Sequence, residues 1–180
     1  MFLIKRYALS ILILSNCQLK IKFRNMALNI GDRAPDFSVS DTNGNTVTLS
    51  ALKGKRVILY FYPRDNTPGC TKEACGFRDR YAQFQAHNTL IFGVSTDDAK
   101  SHQKFTEKFE LNFPLLCDVD ATVATAYESY GKKQMMGKEY MGIFRNTFVI
   151  GADGNIEKIY RLVKAELHPA QVLEDILNGG

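Results

Sequence analysis

FYPRDNTPGCTKEACGF, Phe61–Phe77, joins the end of an apolar run to the start of a helical one, and its reading decides the fold. Upstream, RVILYFYP is continuously apolar from Val57 to Tyr62, the pattern of a strand buried on both faces of a sheet. Downstream, Ala74, Phe77, Tyr81 and Phe84 recur at three and four residues and predict one helix across TKEACGFRDRYAQFQAH. TLIFGVST, from Thr89, then reads as a second buried strand. A strand, helix, strand unit needs a crossover, and the crossover favours a parallel pair.

The alternation continues outward. DDAKSHQKFTEKF reads as a helix behind a Thr96-Asp97 cap, FPLLCD as a short strand and ATVATAYESY as a short helix. Asn43-Gly44, between short apolar runs, predicts an N-terminal β-hairpin. NTFVIGADGNIEKIYRLV predicts another, turning at Ala152–Asn155, and a last helix spans about Leu167 to Leu177 with Pro169 in its first turn. GKKQMMGKEYMG, with its glycines, lysines and methionines, reads as a mobile loop ahead of Arg145. The sum is one α/β domain with a mixed central sheet flanked by helices on both faces.

The 180 residues, 45% hydrophobic and 23% charged, suit a single globular domain. Four cysteines without a repeating spacing suit a reducing compartment, and cytoplasmic placement is expected. The net charge of +4 misleads, because residues 1–25 hold five of the 23 basic residues and no acid, leaving 18 basic against 19 acidic in residues 26–180. That body carries no basic patch, which argues against nucleic acid as a partner. The apolar run Tyr7–Leu14 is too short to span a bilayer, which leaves a removed signal or transit segment, a membrane-surface anchor or an upstream start as readings of residues 1–25; no stable membrane association is expected. Residues 1–25 are therefore read as an extension outside the folded domain of 26–180. An upstream start codon before Met26 fits them best; a targeting segment, which would change the compartment, is the alternative.

Cys70 falls in the first turn of the predicted helix, behind Thr67 as cap and Pro68 as first-turn residue. Free N–H groups and the positive end of the helix dipole favour an anion there, so the sequence predicts a reactive thiolate beyond the carboxyl end of a strand, where α/β sheets place their ligands. A buried core cysteine is the competing reading; it suits Cys117 in PLLCD and fits Cys70 poorly behind a Pro-Gly turn. Five residues of regular helix separate Cα atoms by roughly 8.7 Å, beyond the ~7 Å limit of a disulfide. A bond between Cys70 and Cys75 therefore demands local unwinding, although Cys75 as an incidental helix residue remains open on spacing alone.

At these residues the chain resembles a peroxiredoxin of the bacterioferritin comigratory protein, or PrxQ, type. The pattern Pro-x-x-x-Thr-x-x-Cys is present as Pro63, Thr67 and Cys70, the family's arginine matches Arg145 in GIFRNTFVI, and GDRAPDF, GVSTDD and FPLLCD extend the likeness over about Leu28–Leu177. The resemblance implies a thioredoxin-like fold and thiol-dependent reduction of hydrogen peroxide or alkyl hydroperoxides, with no metal, haem or flavin. It implies Cys70 as peroxidatic and Cys75 as resolving cysteine, Thr67, Pro63 and Arg145 as their companions, and thioredoxin or a similar dithiol as reductant; resolution within one helix would need no partner subunit, so a monomer is expected.

Other classes remain to be separated from this one. A redox sensor would use the same cysteine pair without turnover. Metal binding and Cys-His hydrolysis are poorly supported, because His87, His102 and His168 lack ligand spacing and each reads as a surface residue.

Overall fold

The structure, a computed structural model, describes residues 27–179; the reading of residues 1–25, with Cys17, lies outside the described residues. The Asn43-Gly44 turn closes the N-terminal hairpin, in which β1 (Ser38–Ser40) runs antiparallel to β2 (Thr46–Thr48). Asp41 Oδ1 accepts from the amides of Asn43 and Asn45, a side-chain turn that holds the register. After a 3₁₀ turn at Leu49–Leu52 come β3 (Arg56–Phe61), α1 (Pro68–Arg78), α2 (Tyr81–Ala86) and β4 (Thr89–Ser95). The remaining elements are α3 (Ala99–Phe109), β5 (Leu115–Cys117), α4 (Thr122–Ala126), β6 (Tyr130–Met135), β7 (Lys138–Ile143), β8 (Thr147–Ile150), β9 (Ile156–Tyr160) and α5 (His168–Asn178).

The central sheet has the order β5-β4-β3-β8-β9. β3, β4 and β5 are parallel through their helical crossovers, while β8 pairs antiparallel with β3 and with β9. This mixed sheet is the predicted one, and the fold is thioredoxin-like. Alternate residues of β3 divide the core as period two requires. Ile58, Tyr60 and, just beyond the strand, Tyr62 pack with Phe77 of α1, Phe84 of α2, Phe105 of α3 and Val172 of α5. Val57, Leu59 and Phe61 pack on the other face with Phe37, Leu49, Val123 and Tyr127. Each such side chain contributes about 1.5–3 kcal/mol on full burial, so β3 is the natural anchor for whatever follows it.

Three local expectations need correction. The single helix over 71–87 is broken at Asp79-Arg80: the Arg80 amide closes on Phe77 O, and its guanidinium takes the freed Gly76 carbonyl at 3.0 Å. The cap of α3 is Asp98, which accepts from Ser101 N, in place of Thr96-Asp97. GKKQMMGKEYMG is no loop but the hairpin β6–β7, turning at Met136 and Gly137, both with positive φ as a two-residue hairpin turn requires. Its alternation is masked because both faces carry long polar and methionine side chains.

Candidate active site

β3 ends at Phe61, and residues 63–67 cross to the start of α1, where Thr67 is the N-cap and Pro68 a first-turn residue. Thr67 caps with its backbone, its carbonyl accepting from Thr71 N, while its hydroxyl donates to Arg64 O at 3.1 Å. The expected side-chain cap is therefore absent. That geometry leaves the Thr67 oxygen lone pairs free to accept from something else.

Cys70 lies in the first turn of α1 and is 1% exposed, packed in the cluster of Tyr60, Tyr62 and Phe77. The sequence reading that set burial aside for Cys70 is thus corrected: the thiol is buried and also sits at a helix N-terminus. Cys117, expected in the core, is only half-buried, and burial with the nearby acids Asp41, Asp65 and Asp98 raises its pKa. Cys75 is half-buried later in α1, and Cys70, Cys75 and Cys117 are all free thiols.

Arg145, in the turn between β7 and β8, reaches Cys70 from the neighbouring strand. Its Nη2 donates to Cys70 Sγ at 3.2 Å, while its Nη1 donates to Glu73 Oε2. Glu73 is fully buried one turn after Cys70 on the same helix face, and its Oε1 has no partner. Burial pushes the Glu73 carboxyl up to about 7, against the pull of the adjacent Arg145. The sequence reading missed Glu73; its signal was an acid three residues from Cys70, on the face that Ala74 and Phe77 commit to the core.

A second buried polar group lies behind the loop. Asp65 accepts from Tyr62 Oη at 2.7 Å and Ser101 Oγ at 2.8 Å, and pairs with His102 Nδ1 at 2.9 Å. Burial would raise the Asp65 pKa, yet hydrogen bonds and charge from His102, with those from Tyr62 and Ser101, lower it. His102 is therefore not the surface residue expected. Nor is His168, whose Nε2 lies 2.7 Å from Thr147 Oγ1 and whose pKa burial drives down to about 4, helped by the charge of Arg145. Only His87 is exposed. Lys133 of β6 completes the surroundings, donating to Ile143 O at 2.9 Å beside the Phe144 ring.

A thioredoxin-like sheet that sets a cysteine at a helix N-terminus under a guanidinium defines the class of thiol-based redox enzymes. Residues 30–159 match the AhpC/TSA family. Peroxiredoxin Bcp of Bacillus subtilis is 46% identical over 151 residues, covering 84% of this chain and 96% of its own. Peroxiredoxin Bcp of Escherichia coli K12 is 43% identical over 146 residues, covering 81% and 94%. Among solved structures, a mutant of Xylella fastidiosa PrxQ gives a TM-score of 0.81 at 34% identity, covering 86% of this chain and 99% of its own. The bacterioferritin comigratory protein of Xanthomonas campestris, solved as trapped intermediate and ligand complexes bearing on its alkyl peroxide reduction activity, gives 0.78 at 34%, with the same 86% and 99% coverage. This chain belongs to the AhpC/TSA family and is a peroxiredoxin of the Bcp/PrxQ kind, a redox enzyme acting on peroxides.

Proposed function

We propose that the chain reduces hydrogen peroxide and organic hydroperoxides through Cys70, and that Cys75 resolves the product as an intramolecular disulfide which thioredoxin or a similar dithiol reduces. The observation that carries this reading is Arg145 Nη2 donating to Cys70 Sγ at 3.2 Å in the first turn of α1. The Cys70 thiolate attacks the terminal peroxide oxygen; the sulfur–oxygen bond forms, the oxygen–oxygen bond breaks, and the leaving alkoxide or hydroxide takes up a proton. Arg145 and the free amides of the first turn supply positive charge where that leaving oxygen develops.

Thr67 accepts the peroxide O–H, which its own bond to Arg64 O leaves it free to do, and so orients the peroxide beside the sulfur. Pro63, half-buried and without an N–H, limits the water that reaches the thiol. The sulfenic acid then condenses with the Cys75 thiol, forming the disulfide and releasing water. Both cysteines lie within one helix, so α1 must unwind before they meet. Thiol-disulfide exchange with the external dithiol restores both.

Resolution inside one helix needs no second subunit, which supports a monomer. Among the described residues no helix is long and apolar enough to cross a membrane. A cytoplasmic enzyme whose folded unit begins near residue 26 is the reading we favour. The deciding experiment is steady-state peroxide consumption with thioredoxin, its reductase and NADPH, using the full chain, Cys70→Ser and Cys75→Ser. Turnover abolished in the first variant and not recycled in the second supports the whole route. A Cys70–Cys75 disulfide that forms without turnover, whatever dithiol is offered, points instead to a redox sensor.

A further inference from the structure

Between Pro63 and Thr67, Asp65 is the one buried residue, while Arg64 and Asn66 point outward and Asn66 holds φ +55°. A five-residue crossing with a left-handed residue in the middle needs something to hold it. Asp65 does this in two ways. Its backbone N–H donates to Asp97 Oδ2 at 2.9 Å, and Asp97 in turn accepts from Ser95 Oγ at the end of β4. Its carboxylate takes the Tyr62 hydroxyl on one oxygen, and Ser101 Oγ and His102 Nδ1 on the other.

His102 closes the attachment. Its side chain is wholly buried, and its Nε2 lies 3.2 Å from Leu116 O on β5. One ring nitrogen thus faces a carboxylate and the other a backbone carbonyl, so the imidazole spans from the loop to the sheet. The loop holding Pro63 and Thr67 is thereby tied across β4 and α3 to β5.

We propose that His102 is a positioning residue for the reaction at Cys70: acting through Asp65, it sets the loop that carries Pro63 and Thr67 and so governs peroxide attack. The inference rests on the function proposed above. A buried carboxylate robbed of one donor must move or protonate, and either shifts a loop whose other tie to the sheet is the bond from Asp65 N to Asp97 Oδ2. Misplacing a substrate-orienting group by about 1 Å can cost a rate about a hundredfold. The side chain of His102 touches neither the sulfur nor its arginine, so the effect passes through placement.

Asparagine at position 102 keeps a donor near the place of Nδ1, toward Asp65, whereas glutamine keeps one near Nε2, toward Leu116 O. The experiment compares full-length wild type, His102→Asn, His102→Gln and Asp65→Asn in the prereduced state. It measures the second-order rate of Cys70 oxidation by hydrogen peroxide and, separately, the rate of Cys70 alkylation by iodoacetamide, read by mass spectrometry. Alkylation needs a reachable thiolate but no orientation by Thr67.

We expect His102→Gln and Asp65→Asn to lower the peroxide rate about tenfold or more, His102→Asn to stay within about threefold, and alkylation to change less than about twofold in all of them. Peroxide rates equal to wild type in His102→Gln overturn the proposal, as does a fall matched by an equal change in alkylation, which signals general loosening. A wild-type chain whose Cys70 does not react with peroxide defeats the underlying function instead, so the two failures are distinct. If His102→Gln does not fold, Asp65→Asn against His102→Asn decides the same question.

Discussion

Arg145 bridges Cys70 and Glu73, two residues one turn apart on α1, with one guanidinium nitrogen donating to the thiol sulfur and another to the buried carboxylate. The carboxylate fixes where the guanidinium points, and the guanidinium in turn keeps a buried acid from standing alone. Removing one member therefore disturbs chemistry and stability by different routes, which makes the two separable.

Arg145→Ala should lower the rate of peroxide attack about 10²–10³-fold, the loss typical of a donor aimed at a developing oxyanion. It should also lower stability by about 3–5 kcal/mol above neutral pH, where Glu73 is left charged and unpaired, and by less in mild acid, where Glu73 takes up a proton. Arg145→Ala/Glu73→Gln should recover most of the stability and none of the rate. Urea unfolding beside single-turnover oxidation checks both; a double variant that regains the rate would remove Arg145 from the chemistry.

Glu73 and His168 should pull stability in opposite directions between about pH 4.5 and 6.5. The folded-state pKa of Glu73 is raised to about 7, so folding holds a proton that the unfolded chain releases, and stability falls as pH rises through that window. The folded-state pKa of His168 is lowered to about 4, so the unfolded chain takes up a proton first, and stability falls as pH drops below the ordinary histidine value. Glu73→Gln should therefore lose stability on acidification more steeply than wild type, and His168→Gln less steeply. Urea midpoints that keep parallel pH profiles in all three proteins would contradict these assignments.

Gly76 lies against the first turn of α5, where an added Cβ would meet Pro169 Cγ at 2.8 Å. A proline ring cannot swing aside, so Gly76→Ala must push α1 from α5. The expected loss is about 1–3 kcal/mol from overpacking, less the part returned by alanine's better helix propensity. On the proposed Cys70–Cys75 route α1 must unwind, so disulfide formation after peroxide addition should speed up while the thermal midpoint falls. A lower midpoint with unchanged or slower disulfide formation would mean that the α1–α5 contact plays no part in unwinding.

In Cys75→Ser, one equivalent of peroxide should be consumed at the wild-type rate, after which turnover should fall at least about tenfold and over-oxidised Cys70 should accumulate. Intact-mass measurement after stepwise peroxide addition follows this directly. Undiminished turnover through Cys117 would assign resolution to that half-buried thiol instead.

Much of this protein is written locally. The apolar run of β3, the Asn43-Gly44 turn and the Thr-Pro-Gly-Cys approach to α1 each act through neighbours within a few residues, and each formed where the sequence places it. With two parallel crossovers and an antiparallel return, such elements leave few topologies open, which is why the mixed sheet was legible. The β6–β7 hairpin was not, because its polar and methionine side chains give no contrast between its faces.

Sequence alone put Cys70 at a helix start behind Pro63 and Thr67, and the likeness to a known family picked out Arg145. Only the tertiary structure decided that Cys70 is buried, that Glu73 is Arg145's second partner, and that His102 and Asp65 meet beneath the loop. The physical reason is distance along the chain. Turn and helix signals are satisfied by adjacent backbone, whereas a buried charge is satisfied by whichever group the fold brings opposite it, and here those partners lie 72 and 37 residues apart in sequence.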